Sequence, residues 1–130
     1  TALSDKLDNQ INIKKLKKYI FPAHGGKGKI HMNFSFEDMR GVGMWHFFAY
    51  AELPIGSDTG YHKHTGNDEW YFIIDGEASV IVDGEKKKIK KGDCVLTLSG
   101  SSHAIVDVKK KLKFIAVEVS RGKKPKPYVE

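Results

Sequence analysis

The chain has 130 residues, 40% apolar and 11% aromatic, enough for one domain with a buried core of its own. Its formal net charge of +6 rests on 20 lysines and only two arginines, Arg40 and Arg121. Guanidinium is the group suited to bidentate phosphate and base contacts, so the excess charge reads as solvated surface and no nucleic-acid partner is expected. A single cysteine, Cys94, excludes an intrachain disulfide; with no apolar signal segment and no run near the ~18 apolar residues of a membrane span, the expectation is a cytoplasmic protein without membrane contact.

Residues 1–10 are polar. Residues 11–21 carry Ile13, Leu16 and Ile20 at helical offsets on a lysine-rich background, which predicts a short helix or an ordered arm lying on the rest of the fold, stopped by Pro22. A glycine-rich turn follows at 23–26, where His24 reads as solvated. Residues 29–36 alternate, with Ile30, Met32, Phe34 and Phe36 on one side and Lys29, His31, Asn33 and Ser35 on the other, the pattern of a half-buried strand. After a polar connection over 37–43, residues 44–53 are apolar on both faces and predict a strand covered on two sides. His46 shares a face with Phe48 and Tyr50, where it either touches or supports a ligand or is a core histidine.

The most informative stretch is residues 56–76, GSDTGYHKHTGNDEWYFIIDG. Side chains alternate along a strand, so His62 and His64 point the same way and can close on one ion. Glu69 follows a Gly- and Asn-containing turn that brings the next strand back beside them. Imidazole nitrogen and carboxylate oxygen suit divalent transition ions. Tyr71 shares the face of Glu69; there it either meets a substrate as a hydrogen-bonding or acid–base group or fills the wall. Trp70, Phe72 and Ile74 lie on the opposite face as an apolar patch that needs cover, which predicts a homodimer. Asp75-Gly76 and Asp83-Gly84 read as hairpin turns, Gly92-Asp93 opens the next segment, and residues 113–119 read as the last strand. The Gly-, Lys- and Pro-containing tail at 122–127 cannot continue a ladder.

Gly56, His62, His64, Glu69 and Gly76 match the first motif of the cupin superfamily, G(X)5HXH(X)4E(X)6G, with no change of spacing. Gly92, Gly100 and His103 match the second, G(X)5PXGXXHXXXN, with Leu98 where that motif has proline and Asp107 where it has asparagine. Fifteen residues separate the two, as in small single-domain cupins, and the chain resembles one. The resemblance implies an all-β double-stranded β-helix, a jelly-roll barrel over 29–120, with an N-terminal arm or helix over 1–28 and a tail over 121–130. It implies a metal site of His62, His64, Glu69 and His103 holding Fe, Mn, Ni or Zn, and a small-molecule substrate or ligand. Tyr71 and Glu69 are then the candidate catalytic groups. His46 is a candidate for the substrate or for support behind the ligands. Asp107, on the face of His103, is expected to point toward the metal end of the cavity or to bond a loop there. Three histidines and a carboxylate leave positions free on a six-coordinate ion, as in an enzyme of dioxygenase, isomerase or lyase type; the alternative is a non-catalytic module for a sugar or carboxylate ligand.

Overall fold

The computed structural model describes residues 12–34 and 45–122. The first ten residues, the connection at 37–43 and most of the tail expected at 122–127 lie outside the described residues. Among the described residues eight strands form in chain order: β1 (Lys18–Phe21), β2 (Ile30–Phe34), β3 (Trp45–Leu53), β4 (His62–Lys63), β5 (Asn67–Val82), β6 (Glu85–Lys90), β7 (Cys94–Thr97) and β8 (Ser102–Ser120). They make one antiparallel sheet in the order β1-β2-β3-β8-β5-β6, with β4 also on β8 and β7 also on β5. This is the all-β architecture that the motifs imply.

The alternation in β2 holds, with Ile30, Met32 and Phe34 buried. Asn33, on the other face, is buried as well, because the segment before it folds over the strand: its amide donates to the Leu16 carbonyl at 2.9 Å. That segment is an ordered arm rather than a helix. Only Ile13–Lys15 make a 3-10 turn, which Asn12 caps, and Lys18–Phe21 pair with β2. An isolated helix of this length is marginal in water, whereas the edge of β2 offers a ladder of ready partners.

Turn chemistry was correct at Asp83-Gly84, where both residues adopt positive φ (48° and 81°) and Val82 faces Glu85 across a two-residue hairpin. At Asp75-Gly76 the expected hairpin does not form. β5 runs straight through, with register shifts against β8 on either side of Asp75. Gly76 takes φ 96°, and a Cβ there would lie 2.2 Å from the Lys111 carbonyl oxygen, so glycine serves a bulge and a close approach instead of a chain reversal. β8 is likewise one long strand that begins at Ser102 and includes the expected 113–119 segment. β5 and β8 thereby pair along most of their length and carry one sheet across both ends of the barrel.

Directly paired residues share a face, so the register sets the interior row by row. Thr97, Glu69, Glu118 and Phe47 form one inward row across β7, β5, β8 and β3. Val95, Tyr71, Ala116, Ala49 and Phe34 form the next. The first row brings two carboxylates inside, and the alanines of the second leave room that larger side chains would fill.

Glu52 on β3 accepts hydrogen bonds from the Tyr50 hydroxyl at 2.7 Å and the Lys111 ammonium at 2.7 Å. The bond from Lys111, then that from Tyr50, lowers its carboxyl from 4.5 to about 2. A depressed folded-state value stabilises the fold above the unfolded value, and that contribution disappears as pH falls from 4.5 through about 2. Glu52→Gln is therefore expected to cost about 1 kcal/mol at pH 7 in denaturant unfolding, with the gap to the parent closing toward pH 2. A gap that ignores pH would contradict this.

Candidate metal centre

Strand pairing assembles the histidines. β4 is two residues long and lies on β8 with His62 directly opposite His103 and Lys63 opposite Ser102. His64 is clamped by its own backbone, its N–H donating to Ser101 and its carbonyl accepting from Gly100 at 2.7 Å. The turn at 98–101, closed by Ser101 N–H to the Leu98 carbonyl, has Gly100 at φ 96°. The turn forms with leucine in place of the motif's proline, and the Leu98 side chain is exposed.

The four side chains predicted to meet do meet. His64 Nε2 and His103 Nε2 are 2.8 Å apart, and His103 Nε2 and His62 Nε2 are 3.1 Å apart. Glu69 Oε1 stands 3.2 Å from His64 Nε2 and 3.3 Å from His103 Nε2. Ligands at ~2.0–2.2 Å from one ion and at right angles across it are separated by about 2.8–3.1 Å; these four contacts lie at or near that spacing, the three histidines forming one converging group and Glu69 converging with His64 and Glu118. Each ring is also aimed from behind. Nδ1 of His62 donates to the Gly60 carbonyl at 2.8 Å, Nδ1 of His64 to Asn67 Oδ1 at 2.5 Å, and Nδ1 of His103 to Thr97 Oγ1 at 2.8 Å. With Nδ1–H engaged, the Nε2 lone pairs converge on a common point.

The electrostatics follow from depth. His103 is fully buried, and burial, then the charges of His64, His62 and His24, lowers its imidazole to about 2, which keeps it neutral. Burial likewise lowers His62. Burial would also lower His64, but the hydrogen bond and charge of Glu69, with help from Asn67, outweigh it and raise the ring to about 9. Burial raises the Glu69 carboxyl, and the nearby charge of Glu118 adds to the rise. Tyr71 packs parallel to His103 with its hydroxyl 3.5 Å from Nε2; burial first, then Glu69, pushes its phenol well above the usual range. The hydroxyl therefore keeps its proton.

The remaining candidates divide. His46 lies behind the site: its Nδ1 is 3.2 Å from Oε1 of Glu118. Glu118 is itself buried and, with His64 and Glu69, forms a second group of converging donors. Asp107 is not brought to the cavity. It is exposed, ion-paired with Lys86, and lines a lysine-rich surface groove. Its φ of 52° sits where β8 gains residues against β5 between Val106 and Lys110, and that bulge breaks the alternation that would have aligned it with His103.

Glu118, Thr97, Asn67 and His24 were not singled out from the sequence as parts of the centre. Glu118 had a signal, since it alternates with Phe114 and Ala116 on the inward face of the last strand. His24, read as solvated, stacks on His62 with ring centroids 3.5 Å apart and planes at 16°. Much of it remains exposed, yet loss of water from the stacked face, then the charges of His62 and His64, lowers its imidazole to about 4.

The donors open into a cavity of about 290 Å³ lined by Phe21, Met32, Phe34 and Phe47 as well as by the polar residues. A family model described as Cupin domain matches residues 49–118. The oxalate-binding protein of Thermotoga maritima is 38% identical over 94 residues, 72% of this chain and 78% of that protein. A Thermotoga maritima crystal structure, described as a predicted oxalate decarboxylase, superposes with a TM-score of 0.77 at 34% identity and covers 85% of this chain and 98% of that one. The pectin degradation protein KdgF of Dickeya dadantii is 29% identical over 59 residues, 45% of this chain and about half (51%) of that protein.

His24 owes its position to a close backbone approach. Gly60 N–H donates to the Ala23 carbonyl at 2.9 Å, and a Cβ on Gly60 would lie 1.9 Å from the His24 carbonyl oxygen. Gly60→Ala is expected to push the 23–26 turn off the barrel and cost about 1–3 kcal/mol, read as a lowered thermal midpoint; an unchanged midpoint would show that the stack is not held this way.

Proposed function

Because the chain belongs to the cupin family, we propose that it binds one divalent metal ion through His62, His64, Glu69 and His103 and uses that ion to hold and transform a small oxygenated molecule. The observation that carries this reading is the convergence of four donor atoms with neighbouring separations of 2.8–3.3 Å at the end of a cavity. When bound, an Fe, Mn, Ni or Zn ion supplies Lewis acidity that polarises a carbonyl or carboxylate oxygen. The chain supplies the rest. Tyr71 donates a hydrogen bond to a ligand oxygen, Glu118, held from behind by His46, offers a second polar contact, and the apolar wall limits water. Of the dioxygenase, isomerase and lyase chemistries, the lyase type is favoured by the likeness to a protein described as a predicted oxalate decarboxylase.

A second reading, a binding module that leaves its ligand intact, is favoured by the relative described as an oxalate-binding protein. Incubating the metal-loaded protein with oxalate separates the two: release of carbon dioxide that His62→Ala abolishes supports turnover, and tight binding with oxalate recovered unchanged supports the module.

The exposed face of β5 and β7 presents Trp70, Phe72, Ile74 and Leu96, with Trp70 opposite Leu96 and Phe72 opposite Cys94. On a chain of net charge +6 this uncharged face is where two copies meet with least repulsion, and we assign it to a homodimer. Light scattering should give twice the chain mass for the parent and the single mass for Trp70→Lys; a monomeric parent would overturn the assignment.

Metal binding itself is expected at one ion per chain by elemental analysis, and it should be lost in His103→Ala. Thr97→Val keeps the shape of a side chain that is 1% exposed but removes the acceptor of His103 Nδ1–H. It should weaken the metal about 10–100-fold in competition with a chelating dye. Equal affinity in parent and variant would remove Thr97 from the site.

A further inference from the structure

The cavity behind the donors is larger than the smallest chelating ligands need. Its volume of about 290 Å³ would hold roughly ten waters at ~30 Å³ each, so two linked carboxylates alone would leave much of it unfilled. Its surface is also two-sided. Its lining joins the polar groups of His62, His64, Glu69, Tyr71 and Glu118, with further polar residues from the 23–26 turn and 59–67, to apolar side chains of β1, β2, β3 and β8. In that wall Phe34 is central: it stacks with Phe21 at 6.3 Å and meets Phe47 edge-on at 5.2 Å, with Met32 beside them. Water against such a surface lacks hydrogen-bond partners, and an apolar group that displaces it gains free energy. Ala116, small and on the lining, keeps the space open where a larger residue would fill it.

Resting on the metal reading above, we propose that the ligand of this site joins a metal-chelating oxygenated head to an apolar body, aromatic or alicyclic, and that the body lies on the Phe21–Phe34–Phe47 wall. The head alone would then bind weakly, and the body would supply selectivity. A hydroxy acid with a ring attached is the simplest molecule of this class.

Glycolate and mandelate test this directly, because they share the α-hydroxycarboxylate head and differ by a phenyl ring. Calorimetric titration of the cobalt-loaded protein, with the cobalt absorption bands followed in parallel, should show mandelate binding at least about tenfold tighter than glycolate. Phe21→Ser changes a half-buried wall residue on an edge strand. It should reduce the mandelate advantage over glycolate to less than about threefold, with a parent-like far-UV circular dichroism spectrum showing that the variant is folded; a folded variant with the full advantage would overturn the inference. Equal affinities in the parent protein, or tighter glycolate, would overturn the apolar-body inference while leaving the metal reading standing. Failure of both acids to perturb the cobalt bands would overturn the two together.

Discussion

Three imidazole rings, each aimed by a partner on its far side, bring their Nε2 atoms together, and one oxygen of Glu69 lies within 3.3 Å of two of them. This arrangement would be unfavourable without a charge between them, because neutral Nε2 atoms 2.8 and 3.1 Å apart present lone pairs to one another. Without metal, a proton on His64, held there by Glu69, supplies that charge. The barrel tolerates the cluster because the ladder fixes it: His62 faces His103 across β4 and β8, and Glu69 lies between Thr97 and Glu118 across β7, β5 and β8. Secondary structure and site are thus one set of hydrogen bonds.

Much of this was legible in the residues, and the failures share a cause. The period of two along a strand put His62 with His64, Glu69 with Tyr71, and Trp70, Phe72 and Ile74 outward, and all of these hold. Alternation fails where the ladder gains or loses a residue. Asp107, four residues from His103, was expected to point toward the metal end of the cavity or to bond a loop there, but the bulge before Lys110 turns it out to Lys86. Asp75-Gly76 has the composition of a hairpin, and nothing local reveals that Lys111 of a distant strand approaches it. Supporting residues were hidden for a related reason. Thr97 and Asn67 matter through one acceptor atom each, and which imidazole they meet depends on pairings between strands far apart in sequence.

The fold also divides its surfaces by task. The same strand, β5, turns Glu69 and Tyr71 toward the cavity and Trp70, Phe72 and Ile74 toward the outside, so one alternating segment builds both the chemical centre and the apolar exterior. β6, at the free edge, carries lysines at four of its six positions, which discourages the strand addition that a bare edge would invite. Lysines also stand along β8 at 109–111 and 113, where the first three are exposed.

The central claim is that these four side chains hold one ion, and X-ray absorption at the cobalt edge of the cobalt-loaded protein tests it most directly. The account predicts a first shell of nitrogen and oxygen near ~2.1 Å with the outer-shell scattering of about three imidazoles. A shell of oxygen alone, with no imidazole scattering, would contradict it.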